Sequence, residues 1–572
     1  MLGFLDLLAW ISLAWYATMV LMAISGSLIA FRKYRQPPPP PPFPISTSPL
    51  SQMAAPSSNP TRPNSKTQNL LIPSVSILRP LCGLDYGLRE NLESAFLQQW
   101  PLDRFEIILC LADPADPARK IAQDLISKYP AVRARLLIGE ERVGMNPKIN
   151  NLMQAYRTAE ADLLWILDSN ARVHPTTLAR AVSVLCPPSG PTRTRRWTRI
   201  GLVHHLPMGI LPNLEGKRSN KRGLGSLLES CFLNGNHARQ YLCLNALGVA
   251  SCLMGKSNLF YRSDLEQATR RYLARNRGDQ HHIPSRPERH DSDEQASLLG
   301  SSHNSSTRNQ HSSFDALELF GQFLAEDNMI GQTLWDDGIR HAMTIDVVGN
   351  VVGLLSVKDY FSRRIRWIRA RKYMTIGATL VEPFTESILL GIVMTLAVER
   401  LSLTNGIEKK VMIIIHEAVY FTLDYLVYRS LLHSPLVLSA LQSSSMTGTT
   451  YARQPAKAVQ PTSSSTTQQG PAPSSSSSSS SSSFSAPFRP HPYTQDGSSP
   501  PQDEPLEPRA GGEEDQLIQV RLSFFEFMLG WALRECSALS IWLIAMSSNT
   551  IQWRNSHKIL KVLRNARVAE SN

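Results

Sequence analysis

The stretch Asp162-Leu-Leu-Trp-Ile-Leu-Asp168 is an apolar run closed by a carboxylate, and Phe105-Glu-Ile-Ile-Leu-Cys-Leu-Ala-Asp113 repeats the pattern upstream. Short, nearly continuous apolar runs of this kind suit strands covered on both faces, as in a mostly parallel sheet. Working outward, β-branched runs alternate with amphipathic helices, which predicts βαβ units and an α/β domain. The expected strands are 75–78, 106–111, 135–138, 163–167, 200–203 and 251–253; the expected helices include 88–97, 118–128, 147–158 and 175–185. In an open α/β sheet, ligands bind outside the carboxyl ends of the strands. That rule places Asp113 and Asp168 at the mouth of a site. A third acid, Asp327, lies on an amphipathic run, and the cluster Arg363-Arg-Ile-Arg366-Trp367 follows it. No G-x-G-x-x-G and no P-loop occurs, so a dinucleotide site and an NTP-hydrolysing site both lack local support.

The chain has 572 residues and a net charge of +12. Such a balance suits nucleic acid, an anionic membrane face or a phosphorylated substrate. Its basic residues crowd beside apolar segments and follow no zinc-finger, RNA-recognition or helix-turn-helix pattern, so no nucleic acid partner is expected. The seven cysteines form no C-x-x-C pair, and several lie inside apolar runs. Free thiols in a reducing compartment follow, with the soluble part facing the cytosol.

Residues 7–30 are apolar and uncharged, and roughly 24 residues at about 1.5 Å each cover the hydrocarbon core of a lipid bilayer. No Lys or Arg precedes this run and Arg32-Lys33-Tyr-Arg35 follows it, which argues for a span with the downstream chain in the cytosol rather than a secretory signal. Segments 374–398, 411–432 and 524–546 are also apolar but carry Glu382 and Glu386; His416, Glu417 and Asp424; and Glu526, Arg534 and Glu535. Ionisable groups in lipid face a cavity or a partner. Re-entrant or interfacial helices are one reading; ordinary spans with snorkelling charges are the other. The expected division is an N-terminal transmembrane anchor (1–35), a Pro-rich linker (36–70), a catalytic domain (71–373) with a polar insertion at 276–312, membrane helices (374–440), a Ser-rich insertion (441–515), and a membrane-associated helix with a basic tail (516–572). His281, His282, His290, His303 and His311 read as a solvated loop rather than a metal site. The sequon Asn304-Ser305-Ser306 is expected to stay unmodified in a cytosolic loop.

Taken in order, a series of blocks resembles the ceramide glucosyltransferases: Ser76-Ile-Leu-Arg-Pro-Leu-Cys-Gly-Leu-Asp85, Asn91-Leu-Glu93-Ser-Ala-Phe, Cys110-Leu-Ala-Asp113-Pro-Ala-Asp116-Pro-Ala, Gly144-Met-Asn-Pro-Lys148-Ile-Asn-Asn-Leu152, Trp165-Ile-Leu-Asp168-Ser169, Gly201-Leu-Val-His204, Ser251-Cys-Leu-Met254, Ala325-Glu326-Asp327 and Arg363-x-x-Arg366-Trp367. The resemblance covers residues 75–270 and 314–440 and resumes weakly near 520–560, where Ile551-Gln-Trp553-Arg554 is family-like; the three insertions have no counterpart. It implies a GT-A-like fold and inverting transfer of glucose from UDP-glucose to the primary hydroxyl of ceramide, giving glucosylceramide and UDP. It also implies a multi-pass membrane protein of the Golgi or endoplasmic reticulum.

By that resemblance Asp113 contacts the uridine of the donor, the alternative being a turn carboxylate before proline, with Asp116 as a competitor. Asp168 is implied to face the diphosphate and a divalent cation, Mg or Mn. Asn170 stands where many related enzymes carry a second Asp, and one carboxylate is thin for a hard cation; a helix-capping Asp is the alternative. Asp327 is implied as general base, with Glu326 as competitor. Arg363, Arg366 and Trp367 are implied to meet the diphosphate and the acceptor mouth, and they equally suit a positive flank with an interfacial Trp. Lys148 is a phosphate partner or a surface lysine at a helix start. His204 and His237 are substrate contacts or ordinary partly buried histidines. Two other functions fit parts of the pattern: a processive polysaccharide synthase, which would want Gln at position 363, and a non-catalytic membrane adaptor.

Overall fold

The computed structural model describes residues 3–36, 72–187, 199–212, 223–276, 315–404, 406–439, 518–519, 521–552, 559–563 and 566–570. The proline run, the histidine-bearing insertion with its sequon, the serine tract and Trp553-Arg554 lie outside the described residues. In chain order the elements are α1 (Phe4–Tyr34), β1 (Val75–Leu81), α2 (Leu88–Phe96), β2 (Phe105–Leu111), α3 (Ala118–Lys128), β3 (Ala134–Ile138), α4 (Pro147–Thr158), β4 (Leu163–Leu167), β5 (Ala171–Arg172), α5 (Thr177–Leu185) and β6 (Ile200–Pro212). They continue with α6 (Leu224–Phe232), α7 (Ala238–Leu247), β7 (Ser257–Tyr261), α8 (Arg262–Arg275), α9 (Ala316–Phe320), α10 (Glu326–Asp336), β8 (Arg340–Val351), α11 (Val357–Arg371), α12 (Ile376–Val381), α13 (Ser387–Arg400) and α14 (Lys409–Leu431). The last are β9 (Ile518–Gln519), α15 (Phe524–Met546), β10 (Thr550–Gln552), β11 (Ile559–Val562) and β12 (Val568–Glu570).

The main sheet has the order β3-β2-β1-β4-β7-β6-β8-β5, with β9 added against the end of β6. Strands β3, β2, β1 and β4 run parallel, β6 and β8 form a second parallel pair, and β7 joins the two blocks antiparallel to both. This is the expected α/β architecture. Both faces of the first block are covered. Ile77, Leu109 and Trp165 pack with Phe96 and Trp100 on one side, while Leu78, Ile108 and Ile166 pack with Leu152 and Tyr156 on the other. Double burial explains why these strands read as unbroken apolar runs.

One expected strand is absent and one observed strand was not expected. Residues 251–253 form no strand: Leu253 instead packs against α10, so closely that a Cβ on Gly331 would lie 2.1 Å from its Cδ1. The ladder partner of β4 is β7, which begins at Ser257 beyond the Gly255-Lys256 pair. Strand β8 escaped notice because Arg340, His341, Thr344 and Asp346 break its apolar pattern, although Asp346 is buried in an ion pair with Arg180.

Among the described residues three helices are long and apolar enough to cross a membrane: α1, α14 and α15. α13 runs antiparallel to α1, with Arg400 2.8 Å from Asp6 and the Trp15 Nε1–H donating to the Phe384 carbonyl at 2.8 Å. α14 runs parallel to it, with Tyr16 OH 3.2 Å from His416 Nδ1 and Ser27 Oγ donating to the Leu423 carbonyl at 3.4 Å. The segment 374–398 is not one straight span: Ile376–Thr385 and Ser387–Arg400 meet at 76° at Glu386, whose backbone is extended, just after the tight turn that holds Pro383. α15 touches the last third of α14 through Trp531 Nε1–H donating to Asp424 (2.9 Å), and the start of α13 through Arg534 and Glu386 (3.0 Å). Arg369 and Lys372 of the α11 region then bind its last carbonyls, Ile544 and Met546, at 2.9 Å each. Arg534 thus pairs with Glu386 and Glu535 inside these segments, whereas Glu382 pairs with Arg371 of α11 and Asp424 with Arg239 of α7, the latter at 3.4 Å.

α1 is packed against α7 through Gly26, where a Cβ would lie 2.1 Å from the Arg239 carbonyl oxygen. Backbone does not give way as a side chain does. Gly26→Val is expected to destabilise the protein by about 1–3 kcal/mol, read as a lower thermal midpoint in detergent micelles, whereas Gly377→Ala, which meets nothing within 4 Å, leaves it unchanged. Equal midpoints for wild type and Gly26→Val would mean that α1 does not dock here.

Candidate active site

The site is assembled from the start of α4. Asn146 caps this helix, its Oδ1 accepting from the Lys148 and Ile149 N–H groups at 2.9 and 3.4 Å, with Pro147 in the first helical position. The same side chain donates through Nδ2 to the Phe323 carbonyl (2.8 Å) and to Glu326 Oε2 (2.9 Å). One buried amide therefore fixes the start of α4 against the start of α10.

Lys148 is no surface lysine. Its Nζ lies 2.8 Å from Asp168 Oδ1 and 2.9 Å from Glu326 Oε1, and donates to the Gly255 carbonyl at 3.2 Å. Lys256, just before β7, takes the other oxygen of Asp168 at 2.9 Å and the Asn170 side-chain oxygen at 2.9 Å. Burial pushes the Asp168 carboxyl up, but Lys148 and Lys256 outweigh it and hold that carboxyl well below its usual range. Burial likewise pulls Lys148 down, while Asp168 and Glu326 win and keep it charged. Asp168 is not a helix cap; α5 begins after Thr176.

Asp327 differs from its neighbour. Glu326 has both oxygens engaged, whereas among the described residues Asp327 Oδ1 accepts from the Asn328 side-chain amide at 3.3 Å and Oδ2 lies close over Gly255. Burial first, then the Glu326 carboxylate, raise the Asp327 pKa to about 6, with Lys148 opposing.

A divalent ion does not fit the donors at Asp168. Both of its oxygens and the Asn170 oxygen already bind ammonium groups, and among the described residues no three His, Cys, Asp or Glu side chains group to hold a metal. Asp168, expected to face a cation, makes two ion pairs with lysine ammonium groups.

These groups line one cavity of about 1070 Å³. From α11, Arg363, Trp367 and Arg371 line it at spacings of four, with Arg364, Arg366, Ile368 and Ala370 to either side of that row. Arg363 Nε lies 2.8 Å from the fully buried Glu229, and its guanidinium carbon sits 5.0 Å from the Trp367 ring centroid. Opposite stands a stripe of α1: Trp15, Thr18, Met19, Met22 and Ala23. The same spacing rule makes it a single face of the helix. His237 lines the cavity, stacked on Tyr241, whereas His204 is fully buried and bonded to the Tyr241 hydroxyl at 2.6 Å.

Of the expected residues, Asp168, Asp327, Lys148, Arg363, Arg366 and Trp367 share this cavity. Asp113 does not line it. It is exposed just past β2, its Oδ1 accepting from the Ala115 N–H at 2.8 Å, while Asp116 accepts from the Gly83 N–H at 2.8 Å and so shapes the cavity rim. Sequence reasoning missed Lys256, Asn146 and the α1 stripe; the three-four spacing of Trp15, Thr18, Met19, Met22 and Ala23 is the signal that was there to find.

Residues 45–269 and 308–448 match glycosyl transferase family 21. A ceramide glucosyltransferase of Komagataella phaffii is 30% identical over 571 residues, covering 97% of this chain and 90% of that protein. Another, of Candida albicans, is 30% identical over 488 residues, covering 74% and 84%. Among solved structures, a mannosyltransferase from Pyrobaculum calidifontis overlays at a TM-score of 0.37 and 14% identity, covering 74% of this chain and 97% of that one, too loosely to carry an argument.

A Cβ on Gly255 would lie 3.0 Å from Asp327 Oδ2 and 3.2 Å from its Cγ. Gly255→Ala is therefore expected to displace that carboxylate and slow sugar transfer about tenfold or more, with the thermal midpoint near wild type. Full transfer in this variant would show that the position of Asp327 is immaterial.

Proposed function

We propose that this chain, which belongs to glycosyl transferase family 21 and is a glycosyltransferase, transfers glucose from UDP-glucose to the primary hydroxyl of ceramide with inversion, giving glucosylceramide and UDP. One observation carries this reading: a single cavity has a charged end at the carboxyl edge of the sheet and an apolar wall made by a membrane-length helix. A water-soluble, diphosphate-bearing donor suits the first, and a lipid alcohol suits the second. The names of the curated relatives, all ceramide glucosyltransferases, supply the sugar and the acceptor.

In this reading Asp327 accepts the proton of the ceramide hydroxyl as its oxygen bonds to the anomeric carbon. The carbon–oxygen bond to the β-phosphate breaks, and UDP leaves with the electron pair. Lys256 and Arg366 meet the charge growing on it, the role that preorganised cations perform best in a site shut off from water. Arg363, held by Glu229, positions Trp367, whose indole offers an apolar face to the acceptor. Asp113, exposed beyond β2 and outside the cavity lining, contacts the uridine in this reading. α1, α14 and α13 with its broken lead-in make a multi-pass protein, and the basic flank after α1 puts the catalytic domain on the cytosolic side. The Golgi or endoplasmic reticulum is the compartment.

Membranes containing this protein, given labelled UDP-glucose, UDP-galactose or GDP-mannose with ceramide, are expected to form labelled glucosylceramide only; label in another lipid, or in none, would refute the proposal. Asp327 is a base only when ionised, so transfer is present above about pH 6 and lost below it. The acid limb of kcat/KM is expected to fall about tenfold per pH unit, as a single titrating group requires. Asp327→Asn is expected to abolish transfer while expression and membrane location persist; unchanged transfer in that variant rules this base out.

A further inference from the structure

We infer that two tethered ammonium groups, Lys148 and Lys256, stand where a divalent cation would otherwise be needed, so that transfer at this site proceeds without a metal and Lys256 itself binds the donor diphosphate. The inference rests on the glucosyl-transfer reading above, and it concerns how the donor is held.

Lys148 Nζ sits in a cage of oxygens: Asp168 Oδ1 at 2.8 Å, Glu326 Oε1 at 2.9 Å and the Gly255 carbonyl at 3.2 Å. Carboxylate and carbonyl oxygens of this kind are what a hard cation seeks. Here the occupant is covalently attached, on the first turn of α4, and cannot diffuse away. Its three N–H donors match the three oxygens, leaving none over. Lys256 is used differently. Two of its donors are accounted for, by Asp168 Oδ2 and Asn170 Oδ1 at 2.9 Å each, and its ammonium lies on the cavity wall. One donor remains to point at a phosphate oxygen. Asn170 completes the argument: a carboxylate there would favour a metal, whereas its neutral oxygen does no more than orient Lys256. A divalent ion entering beside Asp168 would face two positive charges that already satisfy both of that acid's oxygens. As the anomeric bond breaks, the electron pair goes to the β-phosphate oxygen, and the third Lys256 proton stabilises it by a charge-assisted hydrogen bond.

The test uses the full chain in lipid nanodiscs. With excess EDTA, glucose transfer from UDP-glucose to ceramide is expected to stay within about twofold of the rate with Mg or Mn, as for a site whose charge is supplied by side chains. A fall of about tenfold or more that Mg or Mn reverses would overturn the inference. Calorimetric titration with UDP in EDTA provides a second reading that needs no turnover. Wild type is expected to bind, Lys256→Gln to bind about tenfold or more weakly, with no recovery on adding Mn, and Lys256→Arg to bind more tightly than Lys256→Gln. UDP binding that requires Mn, or a folded Lys256→Gln that binds like wild type, would also overturn it. If no cation condition yields glucosylceramide, the functional reading fails, and UDP binding in EDTA still decides the role of the lysines.

Discussion

The ammonium of Lys148 joins pieces of chain that are remote in sequence: the start of α4 that carries it, the end of β4 at Asp168, the turn at Gly255 before β7, and the start of α10 at Glu326. No hydrophobic contact would hold these pieces in so exact a relation, because apolar packing is non-directional whereas charge-assisted hydrogen bonds fix distance and angle. The arrangement is self-consistent in that Asn146 caps the helix that presents Lys148 and also binds the second oxygen of Glu326. Removing one member of such a buried set costs about 3–5 kcal/mol, since the others are left charged and unpaired. Everything else in the site is placed relative to this knot.

A comparable constraint acts at the other end of the cavity. Charges inside a lipid-facing bundle must find partners, and here Asp424 pairs with Arg239, Arg534 with Glu386, and the Asn236 amide with Glu386 at 3.0 Å. Arg239, Asn236 and Glu386 all line the cavity. The interactions that make these helices tolerable in a membrane therefore also join α13, α14 and α15 to α7 and to the π-helical turn Leu233–His237 that precedes it, and so to the catalytic domain. The break at Glu386 serves the same end, with Glu382 on one side of it paired to Arg371 and Glu386 itself to Arg534. α1 is accordingly more than an anchor: the face carrying Met19 and Met22 is a wall of the site, and methionine is the residue best able to conform to a flexible chain.

What was legible in the sequence is what local chemistry determines. Doubly buried strands announce themselves as apolar runs, and Leu163–Leu167 was read to the residue. Asp168 stood out because it closes such a run, and the arginines and tryptophan of α11 because they form the Arg363-x-x-Arg366-Trp367 block that carries the family resemblance. Lys256 was not legible: its meaning depends on Asp168 and Asn170, more than eighty residues away in sequence. β8 was hidden by Asp346, which looks like a surface residue until Arg180 is placed beside it. The uncertainty over the ionisable apolar segments has the same origin, because a charge in lipid is explained by its partner and the partner lies on another helix.

Glu326 and Asp327 show how far a single cation can separate two neighbouring acids. Successive residues of a helix point about 100° apart, so when Glu326 turns toward Lys148 and Asn146, Asp327 turns toward the cavity and Gly255. A carboxylate with both oxygens bound cannot take a proton without losing a partner, whereas one with an oxygen left over loses nothing. Burial and the negative charge of Glu326 make Asp327 hungrier for a proton, and Lys148 restrains that appetite, leaving the group ionised at neutral pH yet basic enough to accept one. The choice of Asp327 over Glu326 as the proposed base thus follows from the knot around Lys148, since the lysine that neutralises Asp168 also occupies the only rival.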